Sequence, residues 1–271
     1  MPTTSVQLYS LRDAIAEDLD KAIARVREIG YENVEPYAFV ERAADLEKAF
    51  AATGLKAPSG HVAVIDADDT TPIWDAAERL GIKTVIDPFI PTDRWQTADD
   101  VAKIAERVNQ LTAEATARGL QFGYHNHQWE FTNKVDGQTV YDLFVSQLSP
   151  ETVLEVDTFW ATVGGADAPA VLKALGDRVV AIHVKDGKVD GDILTALPSS
   201  ESALVVPEAL QRAFENQTPA GQGDVNVSGI LAAAPQAIRV VEFDAYSGDV
   251  FQGITESLTW LKANDTAGSA A

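Results

Sequence analysis

The chain has 271 residues, 46% hydrophobic and 23% charged, the balance of an ordinary globular protein long enough for one large domain. A net charge of −20 argues against nucleic acid and against an anionic membrane surface, since both select for clustered lysine and arginine. The absence of cysteine removes disulfides, thiolate zinc sites and a cysteine nucleophile together.

At the N-terminus, MPTTSVQLYSLRD lacks a basic stretch followed by an apolar run, so no secretory leader is expected. No apolar run approaches the roughly 20 residues of a membrane span, and a cytoplasmic location is the expectation. VQLYS predicts a first strand over 5–10. From there one unit recurs: an amphipathic helical segment, a glycine, then a short β-branched run. ARVREIGYENVEPY, AFAATGLKAPSGHV, AAERLGIKTVIDPF, TAEATARGLQFGYH and VLKALGDRVVAIHV all carry it. Glycine suits the left-handed position past a helix end, and a short apolar run suits a buried parallel strand.

Strands are accordingly predicted over 5–10, 33–37, 57–62, 83–88, 120–126, 152–157, 179–184 and 237–243. Helices are predicted over 16–29, 41–53, 70–80, 98–118, 137–147, 167–175, 227–234 and 249–263. Eight alternating units in about 250 residues predict an α/β fold, a (β/α)8 TIM barrel in a single domain over 1–263. A doubly wound sheet is the competitor, but SLRDAIAED after the first strand is no glycine-rich phosphate turn. The longest irregular connection, roughly 186–226, holds PSSES, a short helical pattern at 207–215 and TPAGQGDVN. The small polar tail 264–271, NDTAGSAA, is expected to fray.

In such a barrel the chemistry sits at the C-terminal ends of the strands. There the second strand carries Glu35, the third His61, the fifth His125 and His127, and the sixth Glu155 and Asp157. The seventh carries His183, Lys185 and Asp186, and the eighth Glu242 and Asp244. All four histidines of the chain fall at predicted strand ends. Residues two apart share a face, so the pairs 125/127, 155/157, 183/185 and 242/244 would each point together. Imidazole and carboxylate without thiolate suit Mn2+, with Co2+, Mg2+ or Zn2+ as alternatives. One ligand from each of strands five to eight gives His125, Asp157, His183 and Glu242; the alternative is a hydrogen-bonded polar cluster under the rim.

VQLYSLRD, GYENVE, GYHNHQWEF, EVDTFW, HVKD, GQGDVN and VVEFD, in this order, resemble the sugar phosphate isomerase/epimerase family, which has the xylose isomerase-like TIM barrel. The resemblance spans residue 6 to about 262. It implies a divalent ion held by an acidic residue after strand five, Asp after six, His after seven and Glu after eight. Asp157, His183 and Glu242 fit that pattern. At strand five the chain departs from it, with YHNH in place of a carboxylate, a feature shared by the branch it resembles most. That branch also carries Trp, here Trp160, where others have a third histidine. Endonuclease IV, with its histidine-rich trinuclear zinc site and DNA-binding face, and the longer true xylose isomerases are set aside.

The resemblance implies a metal-dependent isomerase or epimerase acting on a keto-sugar or sugar derivative through an enediolate. His125 is read as the ligand and His127 as the acid–base group, with the reverse left open. Glu242, Lys185 and Glu35 are the further catalytic candidates; Glu35 is a substrate-hydroxyl ligand or second base, or else salt-bridged. His61, Trp160, Glu130 and Trp129 are substrate-binding candidates, with plain packing the alternative for the tryptophans and a core role the alternative for His61. Glu155 is read as orienting a histidine ligand. The missing strand-five carboxylate keeps open a lyase, dehydratase or hydratase acting on a keto-sugar, 3-keto-glycoside or keto-inositol, and a non-catalytic sugar-binding protein is the third reading. A small carbohydrate is the expected partner, and a homo-oligomer is compatible with the sequence.

Overall fold

The computed structural model describes residues 2–189 and 208–266. Its main sheet is parallel and has seven strands: β1 (Thr4–Val6), β2 (Ser59–His61), β3 (Thr84–Asp87), β4 (Gln121–His125), β7 (Val153–Asp157), β8 (Val179–Val184) and β11 (Ile238–Val241). The order is β1-β11-β8-β7-β4-β3-β2. Between its two edges runs the segment 33–37, predicted as a strand. It makes only single parallel bridges, Gln7 to Glu35 on one side and Asn33 to Lys56 and Tyr37 to His61 on the other. Backbone bonds from Glu35 N to Val6 O and from His61 N to Pro36 O carry the contact across both edges. Pro36 has no N–H to donate, which interrupts a regular ladder here. The sheet therefore curls into the ring of a TIM barrel rather than spreading into a doubly wound sheet.

Helices alternate with the strands: α1 (Arg12–Ile29), α2 (Ala43–Thr53), α3 (Thr71–Leu80), α4 (Ala98–Ala117), α6 (Val140–Gln147), α8 (Ala168–Leu175), α10 (Val227–Ala233) and α11 (Val250–Asn264) match the eight predicted segments to within a few residues. Their apolar faces and the strands make one continuous core, with Trp74, Trp95, Phe122 and Phe144 among its largest side chains. The helix starts follow side-chain chemistry. Thr97 and Asp100 form a reciprocal capping box on α4, which satisfies two backbone donors that the first turn leaves free. Gly30 and Gly81 end α1 and α3 at φ of 107° and 72°, where a side chain would be strained. Gly123 is needed for a different reason: a Cβ there would lie 2.6 Å from the Val153 carbonyl of the neighbouring strand.

Several local features differ from the sequence reading. The first strand is cut at Val6 because the Gln7 side chain accepts from Tyr9 N and starts a 3-10 turn over Leu8–Leu11. The predicted helix at 137–147 begins only at Val140. Residues Lys134–Val135 (β5) and Gln138–Thr139 (β6) pair as a hairpin around Asp136 and Gly137, both at positive φ, the geometry an Asp-Gly turn supplies. Two short helices, α5 (Trp129–Thr132) and α7 (Thr158–Val163), follow β4 and β7 directly. Asp186–Gly187 (β9) pairs antiparallel with Gln217–Thr218 (β10), after the helix α9 (Glu208–Glu215). PSSES lies outside the described residues. Within the tail expected to fray, Asn264 closes α11 and the Asp265 carboxylate pairs with the buried Arg239 at 2.9 Å, and residues 267–271 lie outside the described residues.

Candidate active site

The ends of β2, β4, β7, β8 and β11 bring His61, His125, Glu155, Asp157, His183, Glu242 and Asp244 together, with Glu35 of the 33–37 segment beside them. Two layers result, and His183 joins them.

In the deeper layer Glu155 Oε1 sits 2.5 Å from His61 Nε2, 3.0 Å from His125 Nδ1 and 3.0 Å from His183 Nε2. Glu35 Oε1 lies 3.0 Å from the same His183 nitrogen and 3.2 Å from His61 Nε2. Glu35 also accepts from Gln7 Nε2 and from the Ser59 hydroxyl. Burial opposes charge on Glu155, but His183 and His61 outweigh it and hold this carboxyl well below its ordinary range. Burial and the charge of Glu155 raise Glu35. Burial likewise opposes protonation of His61, yet Glu35 and Glu155 raise its pKa.

In the outer layer His183 Nδ1 is 2.6 Å from Glu242 Oε2 and 3.9 Å from Asp157 Oδ2, and His125 Nε2 is 3.6 Å from that same Asp157 oxygen. The Lys185 ammonium stands among three carboxylates, 2.7 Å from Asp157, 2.6 Å from Glu242 and 2.8 Å from Asp244. Burial alone would lower its pKa, but the three acids raise it well above the ordinary lysine value. Glu242 responds in the opposite direction: burial is overcome by Lys185 and His183, and its carboxyl is held low. Burial dominates at Asp157, which is pushed up to about 6 despite Lys185. The other oxygen of Asp157 accepts from Trp160 N and caps α7.

The YHNH stretch divides its work residue by residue. Strand β4 ends at His125. Asn126 then donates from its side-chain nitrogen to the Asp157 carbonyl and accepts from Asp157 N, both at 3.1 Å, so a side chain replaces the next rung of the ladder. His127 stacks on Trp129, with ring centroids 4.4 Å apart and planes at 4°. Its Nδ1 has no protein partner. Burial and the neighbouring His125 push its pKa well below the ordinary value, so the ring is neutral at pH 7. Burial also carries His125 down to about 3.

These side chains close one end of a cavity of about 720 Å3, lined by His61, His125, His127, Trp129, Glu242 and Asp244 together with Tyr9, Tyr37, Phe89 and Phe214. Three of the candidates lie beneath the surface of this cavity. Glu35 is fully buried beneath the histidines and does not reach the cavity. Trp160 is also fully buried; its indole N–H donates to Asp244 and its ring packs on Phe214, so it does not stack on a ligand. Glu130 is buried too, accepting from Tyr124 Oη at 2.6 Å and from His127 N at 3.0 Å, and burial lifts its pKa to about 8. It anchors the backbone of His127 instead of meeting a substrate.

The glycines of GQGDVN act inside the protein. Asp186 accepts from Gly187 N, Gly221 N and Val225 N, and a Cβ on Gly223 would fall 2.0 Å from its Oδ1. Asp186 is therefore committed to this loop, leaving Asp157, Glu242 and Asp244 as the partners of Lys185. Sequence reasoning missed Gln217, which donates to Asp244 Oδ2 and accepts from Asp244 N, both at 2.8 Å. It also missed Tyr9, Tyr37, Phe89 and Phe214, for which no chemical motif exists.

The family model described as xylose isomerase-like TIM barrel matches residues 23–264. No curated protein matches the chain. Among solved structures, a sugar phosphate isomerase/epimerase from Parabacteroides distasonis ATCC 8503 is similar, with a TM-score of 0.75 at 21% identity, covering 96% of this chain and 93% of that one. The probable 3-DHS dehydratase AsbF from Bacillus anthracis gives 0.69 at 14% identity, over 97% of this chain and 99% of its own. The IolI protein with a bound zinc atom gives 0.69 at 15% identity, over 97% and 98%. At these identities the likeness establishes the fold.

Proposed function

The chain belongs to the xylose isomerase-like TIM barrel family, and on that premise we propose that it is a divalent-metal-dependent isomerase or epimerase of a keto-sugar or sugar derivative. The observation that carries this is the convergence of His125, Asp157, His183 and Glu242, one from each of four consecutive barrel segments, beside a cavity that His125 and Glu242 line. Two imidazoles and two carboxylates without a thiolate fit Mn2+, Co2+, Mg2+ or Zn2+. Asp157, His183 and Glu242 offer donor atoms that all lie within 4.8 Å of one another, and His125 Nε2 adjoins this group 3.6 Å from Asp157. The alternative donor group, His61, His125, Glu155 and His183, is better read as support. There the carboxylates hold His183 by Nε2 and leave Nδ1 toward Asp157 and Glu242, the arrangement by which outer carboxylates orient a ligating histidine.

A bound divalent ion would supply a Lewis acid for a carbonyl and its neighbouring hydroxyl. The chain's own groups do the rest. His127 lines the cavity, is neutral, and accepts the proton from the carbon next to the carbonyl. Glu242, kept ionised, lines the same cavity as a second proton acceptor. Lys185 stays charged and fixes Asp157, Glu242 and Asp244 relative to one another.

A second reading is elimination or hydration on a related keto-sugar, and His127 is the observation that favours it. A single neutral imidazole can take a proton from carbon and pass it to a departing hydroxyl, which a symmetric pair of carboxylates is not needed for.

Metal content measured on protein purified without added ions, and on Asp157→Ala and His183→Ala, tests the site. Both variants should lose the ion, and retention of full metal content would overturn it. Incubation with keto-sugars in D2O then separates the reactions. Deuterium in an otherwise intact sugar supports isomerisation or epimerisation, whereas an unsaturated or shortened product supports elimination.

A further inference from the structure

The cavity is polar at its floor and aromatic at its mouth. His61, His125 and Glu242, at the floor, are nearly buried. Two large apolar side chains are exposed among the described residues, Tyr9 at 40% and Phe89 at 52%, and both line this cavity. Each is braced by another aromatic ring. Tyr9 meets Tyr37 edge to face at 5.4 Å, and Phe89 meets both His127 and Trp129 at 5.5 Å. Phe214 completes the wall. Exposed aromatic carbon is unfavourable in water unless a ligand covers it.

The charge of the lining is the second observation. Among the described residues no lysine or arginine lines the cavity, and residues 190–207 contain neither. Glu41, Glu242 and Asp244 make the lining acidic. Lys185 is held by three carboxylates. Arg42 donates to the Tyr37 hydroxyl, Arg12 packs over the Tyr9 ring at 4.5 Å, and neither lines the cavity. A phosphate group needs charge-assisted donors, which this surface does not provide, and a chain carrying −20 repels an anion at long range. The volume is the third: about 720 Å3 lies within the roughly 300–1,000 Å3 of sites that enclose drug-sized ligands, leaving room beyond a single sugar ring.

We infer that the substrate is an uncharged glycoside, its sugar seated on the histidine and carboxylate floor and its aromatic aglycone held between Phe89, Tyr9 and Trp129. This rests on the sugar reading above and adds a specificity subsite to it. Equilibrium binding of methyl β-D-glucopyranoside, phenyl β-D-glucopyranoside and glucose 6-phosphate, measured by calorimetry on the wild type and on Phe89→Ala, tests it without turnover. The phenyl glycoside should bind about tenfold tighter than the methyl one, and the phosphate at least about tenfold weaker. In Phe89→Ala the phenyl-to-methyl ratio should fall to about two or less. Phe89 is more than half exposed, so the variant is expected to fold. Binding of the methyl glycoside with no phenyl gain, or a gain that survives Phe89→Ala, refutes the aromatic subsite and leaves the sugar reading standing. Glucose 6-phosphate binding as tightly as the neutral sugars refutes the uncharged class. If none of the three binds, the inference falls, while the keto-sugar reading is decided by the metal content and D2O experiments above.

Discussion

Replacing Lys185 with methionine keeps most of the side-chain length and removes the one cation that Asp157, Glu242 and Asp244 share. Each contact, at 2.6 to 2.8 Å, is worth roughly 6 kcal/mol at an effective dielectric of about 20, before desolvation of the ions is subtracted. Removing one member of a buried ion pair costs about 3–5 kcal/mol net. At about 2–4 °C per kcal/mol for a chain of this size, the metal-free variant should melt roughly 6–20 °C below the wild type. The loss depends on pH, and its sign follows from Asp157. Burial already lifts this carboxyl to about 6, and without Lys185 it moves further up. A raised folded pKa gives stability that is present below the unfolded value and lost as pH rises through the folded one. The deficit should therefore be larger at pH 8 than at pH 6. Mn2+ should raise the melting temperature of the variant more than that of the wild type, because no ammonium then stands between the acids; saturation at about 1,000 times Kd adds about 4 kcal/mol. Differential scanning fluorimetry of metal-stripped proteins at both pH values reads all three effects. An unchanged melting temperature, or a deficit that does not vary with pH, would refute the electrostatic reasoning. An Mn2+ shift no larger than that of the wild type would refute these acids as ligands.

Glu130→Gln tests a second buried carboxyl. With Glu130 raised from 4.5 to about 8, its contribution is present below about 4.5 and lost as pH climbs through about 8, with a slope of at most about 1.4 kcal/mol per unit. Urea titrations of the variant should show a flatter stability profile between about pH 5 and 8; an unchanged profile would place the titration elsewhere. Asn126→Ala removes both 3.1 Å bonds to the Asp157 backbone and should cost about 1–3 kcal/mol in urea unfolding, with weaker metal binding by calorimetry. Loss of stability with unchanged metal affinity would show that Asp157 does not depend on this side chain. Gly223→Ala places a Cβ 2.0 Å from Asp186 Oδ1 and 2.3 Å from Gly187 N, an overlap that only backbone movement relieves. A cost of about 1–3 kcal/mol is expected, and a variant as stable as the wild type would contradict the packing of this loop.

Strand and helix positions were legible because two signals agreed at each unit: an apolar period that changes from 3.6 to a short continuous run, and a glycine between them. The barrel was legible because the units numbered eight. Legibility failed where one residue holds two jobs. Asp157 ends a strand and also caps α7, and nothing in VDTFW marks the second role. The Asp-Gly turn of the 134–139 hairpin was readable but lay inside a longer helical pattern that masked it. At the site, position at a strand end marked His61, and strand parity paired His125 with His127, Glu155 with Asp157, His183 with Lys185 and Glu242 with Asp244; the first pair does not share a strand, since β4 ends at His125. Parity carries no depth. Glu35 and Glu130 are as acidic in sequence as Glu242, yet they lie beneath the cavity surface, and that difference arises from barrel curvature and from partners 28 and 6 residues away. Trp160 failed for the same reason, since a tryptophan beside a rim carboxylate reads alike whether it faces a ligand or Phe214.

The two layers meet at His183, and this explains how so many ionisable groups are buried together. Its Nε2 faces Glu35 and Glu155, and its Nδ1 faces Glu242, so one imidazole is bonded to acids on both sides and held protonated in the metal-free chain, with a pKa well above the ordinary value despite burial. Lys185 balances the remaining acids in the outer layer. The deep layer thus orients His183, while the outer layer holds carboxylates whose charge is compensated by groups other than a ligand. His127 stands apart from both. It is neutral, stacked on Trp129, and tied to the protein through its backbone by Glu130 while its Nδ1 is free of protein partners. The charges of His125, Lys185 and Glu242 still reach it, so a proton that His127 takes from a bound sugar would be coupled to the groups that anchor the site.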